Sequence, residues 1–254
     1  MMTNFQLPKT MSESIVDGII YGYKDYVNVR REKAGELKVH GAYAWVKGNH
    51  IDHHVAVECE KHGVTCRLAK AGLTWQYLQF QHDEDKILFI IKNARYFDPN
   101  AVDKGKDVKG NTRKRKATYI TNLVDINSSI KFPKESDSIT QSTQLQLFEY
   151  PQFVSFDEED TKELNKEYDR FYIVTYSIDP GFQINSIKVW MPNPVNNKAY
   201  SVEDLSQYIN KKPSHFIEIE EETKTILQST AEIERDYSDY GIIFDVVEDE
   251  EKEG

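Results

Sequence analysis

Three histidines crowd one short run of the chain: His50, His53 and His54, with Asp52 among them. If the run is helical, His50, His54 and Glu58 fall at i, i+4 and i+8 on one face. Two imidazoles one turn apart converge to within about 6 Å, and neutral imidazole is a common ligand for Zn and related cations. His50 and His54 are therefore the candidate metal ligands, for Zn or Mn, and the chemistry they would support is metal-dependent hydrolysis. Glu58 would have to reach back a further turn to join them, so His40 or His62 would complete the set from elsewhere. The competing reading is a surface helix that carries histidines.

A second concentration of functional groups lies at 104–116: Lys104, Lys106, Lys109, Arg113, Lys114, Arg115 and Lys116. Block positive charge in a surface loop suits phosphate contact, because released counterions drive the association. Lys70 and Arg95 add charge nearby, and Trp75 and Tyr77 add rings of the kind on which bases stack. The candidate nucleic-acid-binding residues are thus Lys70, Trp75, Arg95, Arg113, Lys114, Arg115 and Lys116. The rival partner for this loop is the chain's own acidic half.

Residues 51–54, Ile-Asp-His-His, resemble the Asp-His-His motif of the DHH phosphoesterases. The resemblance stops at these residues. No Asp-x-Asp precedes them, and they follow Gly48-Asn49 rather than an apolar strand, so the match is accidental. The runs GxGxxG, GxxxxGK[ST], HExxH and GxSxG are absent, as is PD…(D/E)xK spacing. Nothing here specifies a reaction, and a non-enzymatic interaction protein is the expectation.

Charge is unevenly distributed. Residues 1–134 carry 22 Lys and Arg against 15 Asp and Glu, whereas residues 135–254 carry 10 against 27. An acidic face at Asp157–Asp160 or Glu218–Glu222 would suit an inhibitor or antitoxin-like protein that mimics phosphate spacing; a solvated helix face is the plainer account. The aromatic share of 12% argues for a folded chain. No apolar run spans a membrane and no leader is visible, so a cytoplasmic protein without membrane contact is expected. Two cysteines, Cys59 and Cys66, fit free thiols in a reducing compartment. A protein partner is expected; the oligomeric state is not legible.

The elements that must position these groups follow from periodicity. Apolar residues at threes and fours predict a helix over 12–33, capped by Ser12 or Ser14 and stopped by Gly35. Residues 36–47 read as extended, and 50–62 as a helix with Ile51, Val55 and Cys59 buried. Strands are predicted at 64–69, 74–81, 86–92 and 117–125, the second and third forming a hairpin. Residues 127–144 read as a linker and 145–156 as an arm or edge strand. Beyond it come a polar helix (157–170), a second hairpin (171–178 and 184–191), a capped helix (201–210), a Glu-rich helix (217–235) and a last strand (241–247). The expected fold class is α+β in two units, each a small antiparallel, hairpin-centred sheet packed with helices. The basic unit covers 1–126, the linker 127–144, and the acidic unit 145–254.

The succession AYAWVKGNHIDHHV, LAKAG, ILFIIKN, QLQLFEY and FYIVTYSID…KVWMPNP resembles an uncharacterised domain-of-unknown-function family of Gram-positive bacteria and their phages. The likeness covers most of 37–210. It implies an intracellular bacterial or phage setting, with roles around mobile elements or phage defence, and it carries no catalytic residues across.

Overall fold

Residues 87–91 and 171–174 are apolar without alternation, the pattern of strands covered on both faces. The computed structural model, which describes residues 2, 5–71, 75–107, 109–114, 116–133 and 167–228, places these two runs side by side at the centre of one sheet. The strands are β1 (Val64–Ala71), β2 (Trp75–His82), β3 (Ile87–Asn93), β4 (Arg170–Ile178), β5 (Ile184–Pro192) and β6 (Ala199–Asp204), and they lie in that order. All neighbours are antiparallel except β3 and β4, which pair in parallel from Ile87–Arg170 to Asn93–Tyr176. The α+β class therefore holds. The two hairpins are not centres of separate small sheets, because β3 and β4 zip them into one.

Helices α1 (Lys9–Glu36) and α2 (Lys47–Glu60) cover one face, and α3 (Thr118–Val124) covers the other with the chain that leads into it. Alternate residues feed the two cores. Ile87, Phe89, Tyr172 and Val174 face the α1–α2 layer, while Leu88, Ile90, Phe171 and Ile173 face Ile120, Leu123 and Val124.

Several local expectations fail for identifiable reasons. Helix α1 starts behind Pro8, and the buried Ser12 turns its hydroxyl to Glu203 at 3.4 Å instead of capping. Gly35 lies inside the helix and Leu37 ends it in extended conformation. Residues 41–44 are a 3₁₀ turn, not a strand. The predicted strand at 117–125 is helical because Ile120, Leu123 and Val124 follow a three-four spacing that its β-branched composition masks. Ser201 does not open a helix: it sits in β6, paired with Trp190 on β5. Asp204 instead accepts from Ser206 N–H and starts a 3₁₀ turn. The predicted helices at 50–62 and 217–235 correspond to α2 and to a helical stretch at 221–228. The arm at 145–156 and the strand at 241–247 lie outside the described residues, as do most of the predicted linker and the polar helix at 157–170.

Candidate anion-binding site

Parallel strands β3 and β4 end side by side, β3 running into a 3₁₀ turn at Ala94–Tyr96 and β4 into the tight turn that leads to β5. This is the position at which open sheets form clefts. A cavity of about 460 Å³ lies there, bounded by Tyr23 and Tyr26 of α1, Lys47 of α2, residues 93–95 at the end of β3, and residues 177–179 and Phe182 at the end of β4 and in the turn after it. Its volume falls in the range of small-ligand sites, roughly 300–1,000 Å³.

Each wall has a local cause. The Asn93 side chain accepts from Arg95 N–H at 2.9 Å, which starts a 3₁₀ turn and carries Arg95 to the rim. Lys47 stands in the first turn of α2, a helix with no side-chain cap and no acid in that turn. The positive end of the helix dipole and the ammonium are thus on the same side. Among the described residues the carboxylate that lines the cavity is Asp179, whose Oδ1 accepts from Gln183 N–H at 2.9 Å in the turn after β4. That turn holds Phe182 at φ 60°, a backbone state that bulky residues rarely adopt. Lys47 Nζ also lies 5.6 Å from the centre of the Tyr26 ring.

A third cation stands behind this wall. Arg30, one turn beyond Tyr26 on α1, is 1% exposed. Its Nη2 donates to the Ile226 carbonyl at 3.2 Å, beside Leu227, which lines the cavity. Among the described residues its Nε and Nη1 have no hydrogen-bond partner. A buried guanidinium short of acceptors is costly, and an anion is one partner that would complete it. No sequence pattern singles out Arg30 as buried, apart from its i+4 and i+7 relation to Tyr26 and Tyr23.

The histidine run lies against the same helix pair. His50 Nδ1 is 2.7 Å and His54 Nε2 3.4 Å from one oxygen of Asp25. Burial works to raise the Asp25 carboxyl, but the two imidazoles outweigh it and hold the group below the usual carboxylate range. The two rings converge as their spacing requires, yet what they converge on is a carboxylate of α1. No group of three or more His, Cys, Asp or Glu among the described residues is arranged to hold a metal ion. Asp25 escaped the sequence reading. Its signal is that Gly18, Gly22 and Asp25 fall at i, i+4 and i+7, so the face that admits α2 ends in an acid.

The basic segment is an ordered knuckle rather than a featureless loop. Lys106 and Thr112 pair as an isolated bridge. The buried Asp98 accepts from Asn100 N–H at 3.0 Å and from the Thr112 hydroxyl at 2.5 Å. Asp107 Oδ1 accepts from the N–H groups of Lys109 and Asn111; the Asn111 amide first, then the Lys109 amide and charge, keep that carboxyl low. Lys116 is matched by the buried Asp103 at 3.1 Å. Lys109 and Lys114 are exposed and Arg113 half-buried, and no ion pair among the described residues joins these three to an acid. Arg115 lies outside the described residues. The knuckle is rooted beside the cavity: Lys106 N–H donates at 2.9 Å to the carbonyl of Tyr96, the residue after Arg95.

Lys70 and Trp75 belong to the β1–β2 hairpin, where Lys70 pairs with Gln76 and Ala71 with Trp75. Strand β2 pairs with β3 only from Phe80 to His82. The hairpin therefore runs on past that ladder, toward the end of the sheet where β3 stops. Lys70 and the backbone of Trp75 lie at that end of the sheet with Arg95, and of these Arg95 lines the cavity. On the α2 side of this hairpin, Asp52 accepts from Leu78 N–H at 3.2 Å. Burial pushes its carboxyl up to about 7 against that one hydrogen bond. In the acidic half, Glu218, Glu220, Glu221 and Glu222 are exposed, whereas residues 157–160 lie outside the described residues.

No helix among the described residues is long and apolar enough to cross a membrane. No curated protein and no solved structure matches the chain. One family model does, over residues 4–236, which is most of its length. The chain accordingly belongs to DUF5986, a family of unknown function.

Proposed function

We propose that the protein is a nucleic-acid-binding interaction protein that contacts the sugar–phosphate chain at the end of the sheet where β3 and β4 stop. The observation that carries this reading is that Lys47 and Arg95 line one cavity, with the buried and under-bonded Arg30 behind it. A preformed knuckle bearing Lys109, Arg113 and Lys114 is tied to the chain next to Arg95 by the Lys106–Tyr96 hydrogen bond, and its cations would add further phosphate contacts. A reducing cytoplasmic setting in bacterial or phage-infected cells agrees with two free thiols, Cys59 buried and Cys66 exposed.

Salt dependence tests the reading. Anisotropy of labelled oligonucleotides should give an affinity that falls linearly with salt on logarithmic axes. Replacing Lys47 and Arg95 together by Ala should weaken binding at every salt concentration. Equal affinity for the double variant and the parent protein would remove the cavity from the interface.

A further inference from the structure

We infer that the cavity holds one unstacked nucleotide of a single strand, with its phosphate at Lys47 and Arg95 and its base against Phe182. This rests on the nucleic-acid reading above and goes further, to the form of nucleic acid recognised.

The argument begins with strain. Asp179 N–H donates to Gln183 O, Phe182 N–H donates to Asp179 O, and Asp179 Oδ1 receives Gln183 N–H, all at 2.9 Å. These bonds close a tight turn between β4 and β5 and leave its fourth residue at φ 60°. Gly fits that conformation freely and Asn tolerates it; elsewhere in the described residues it is taken by Asn197, Asn210 and Lys86. Here a phenylalanine occupies it instead. Its ring is half-buried and lines the cavity that Lys47 and Arg95 also line. A bulky residue kept in a strained state at a cavity wall points to a role for its side chain. A ring beside two cations is the combination that binds a base and its phosphate together.

The size of the cavity favours a base that has left its stack. The buried Tyr23 and Tyr26 and the Leu227 side chain line the cavity, and its volume suits one nucleotide. A base stacked and paired inside a duplex cannot enter such a space without leaving its stack.

The test compares four probes on the full chain: a single-stranded deoxyoligonucleotide, the same strand with abasic sites along its centre, its blunt duplex, and adenosine monophosphate as competitor. The single strand should bind roughly five- to a hundredfold tighter than the abasic strand, the range of one base–ring stack, and tighter than the duplex. Phe182→Leu, which keeps an apolar side chain, should bring the natural strand to the abasic level and leave the abasic strand unchanged. Phe182→Gly should do the same while relieving the backbone, so its melting temperature separates loss of the ring from loss of the fold. Equal binding of natural, abasic and duplex probes, still weakened by the Lys47/Arg95 double variant, would overturn this inference and leave the nucleic-acid reading standing. Monophosphate binding tighter than the strand would uphold the nucleotide pocket and overturn the strand. Absence of binding to every probe would overturn both.

Discussion

Gly22 lies flush against the backbone of His50: a β-carbon added to it would stand 2.6 Å from the His50 carbonyl oxygen. Gly18 meets Val55 one turn away in the same manner, at 2.5 Å from its Cα. This contact brings α2 close enough for Asp25 to reach both His50 and His54, and it fixes where Lys47 enters the cavity. Gly18→Ala or Gly22→Ala raises helix propensity by about 1 kcal/mol, but pushes a methyl into backbone that has no room to yield. The net result should be a loss of about 1–3 kcal/mol, read as a lower urea midpoint. Gly35→Ala is the control of opposite sign. Nothing lies within 4 Å of its added carbon, so that variant should be neutral or more stable. A stabilised Gly22→Ala would refute the close approach.

Two carboxylates on this helix pair act oppositely on stability as pH changes. Asp25 sits below its ordinary value, so its contribution is present above about pH 4 and disappears as acid titrates it. Its side chain is 44% exposed, which keeps the contribution under about 1 kcal/mol. Asp52 is displaced upward, from 3.8 to about 7. Folding then takes up a proton between those values, so the fold loses stability as pH rises through that window and levels off above it. Asp52→Asn keeps an oxygen for the Leu78 amide and removes the charge. It should raise the melting temperature at pH 8 and leave it unchanged near pH 4. A variant destabilised at pH 8 would show the ionised carboxylate to be needed.

The strand at 87–91 was legible because a short apolar run follows the polar turn His82–Asp85, the pattern of a hairpin. The second hairpin was legible for the same reason, aided by Asp179-Pro180-Gly181. Their union was not, because parallel pairing of β3 with β4 depends on a chain crossing of some eighty residues that leaves no local mark. The arrangement of the histidines was half legible: spacing put two on one face, but the group they meet, Asp25, comes from another helix. Lys47 and Phe182 were missed because a lone lysine and a turn aromatic carry no motif. They come together only in the fold, where both line the cavity at the ends of β3 and β4.

Charge in the knuckle should divide by partner. Lys114 is exposed and in no ion pair among the described residues, so Lys114→Ala should reduce the salt slope of oligonucleotide binding by about one phosphate contact. Lys116 is committed to Asp103, whose side chain is 4% exposed. Lys116→Ala should barely alter the slope and instead lower stability by about 1 kcal/mol, by leaving a buried carboxylate without its cation. Equal slope changes for the two variants would show that Lys116 leaves Asp103 to reach the ligand.

Asn127, the first residue of the expected linker, is instead wholly buried and ties three segments together. Its Nδ2 donates to the carbonyls of Phe171 at 3.0 Å and Pro192 at 2.8 Å, and its Oδ1 accepts from Phe171 N–H at 2.8 Å. The carboxamide thus bonds the ends of β4 and β5 to the turn after α3. Asn127→Ala leaves three backbone groups unmatched in a dry site, a cost of about 3 kcal/mol or more. Asn127→Asp keeps the shape but turns a carboxylate oxygen toward two carbonyls, so at neutral pH it should be at least as damaging. Below about pH 4 a protonated acid regains one donor, and the Asp variant should then recover part of the loss while the Ala variant does not. Parallel urea midpoints at pH 4 and pH 8 decide the matter. An Asp variant as stable as wild type at pH 8 would show that the amide does not bridge the two strands.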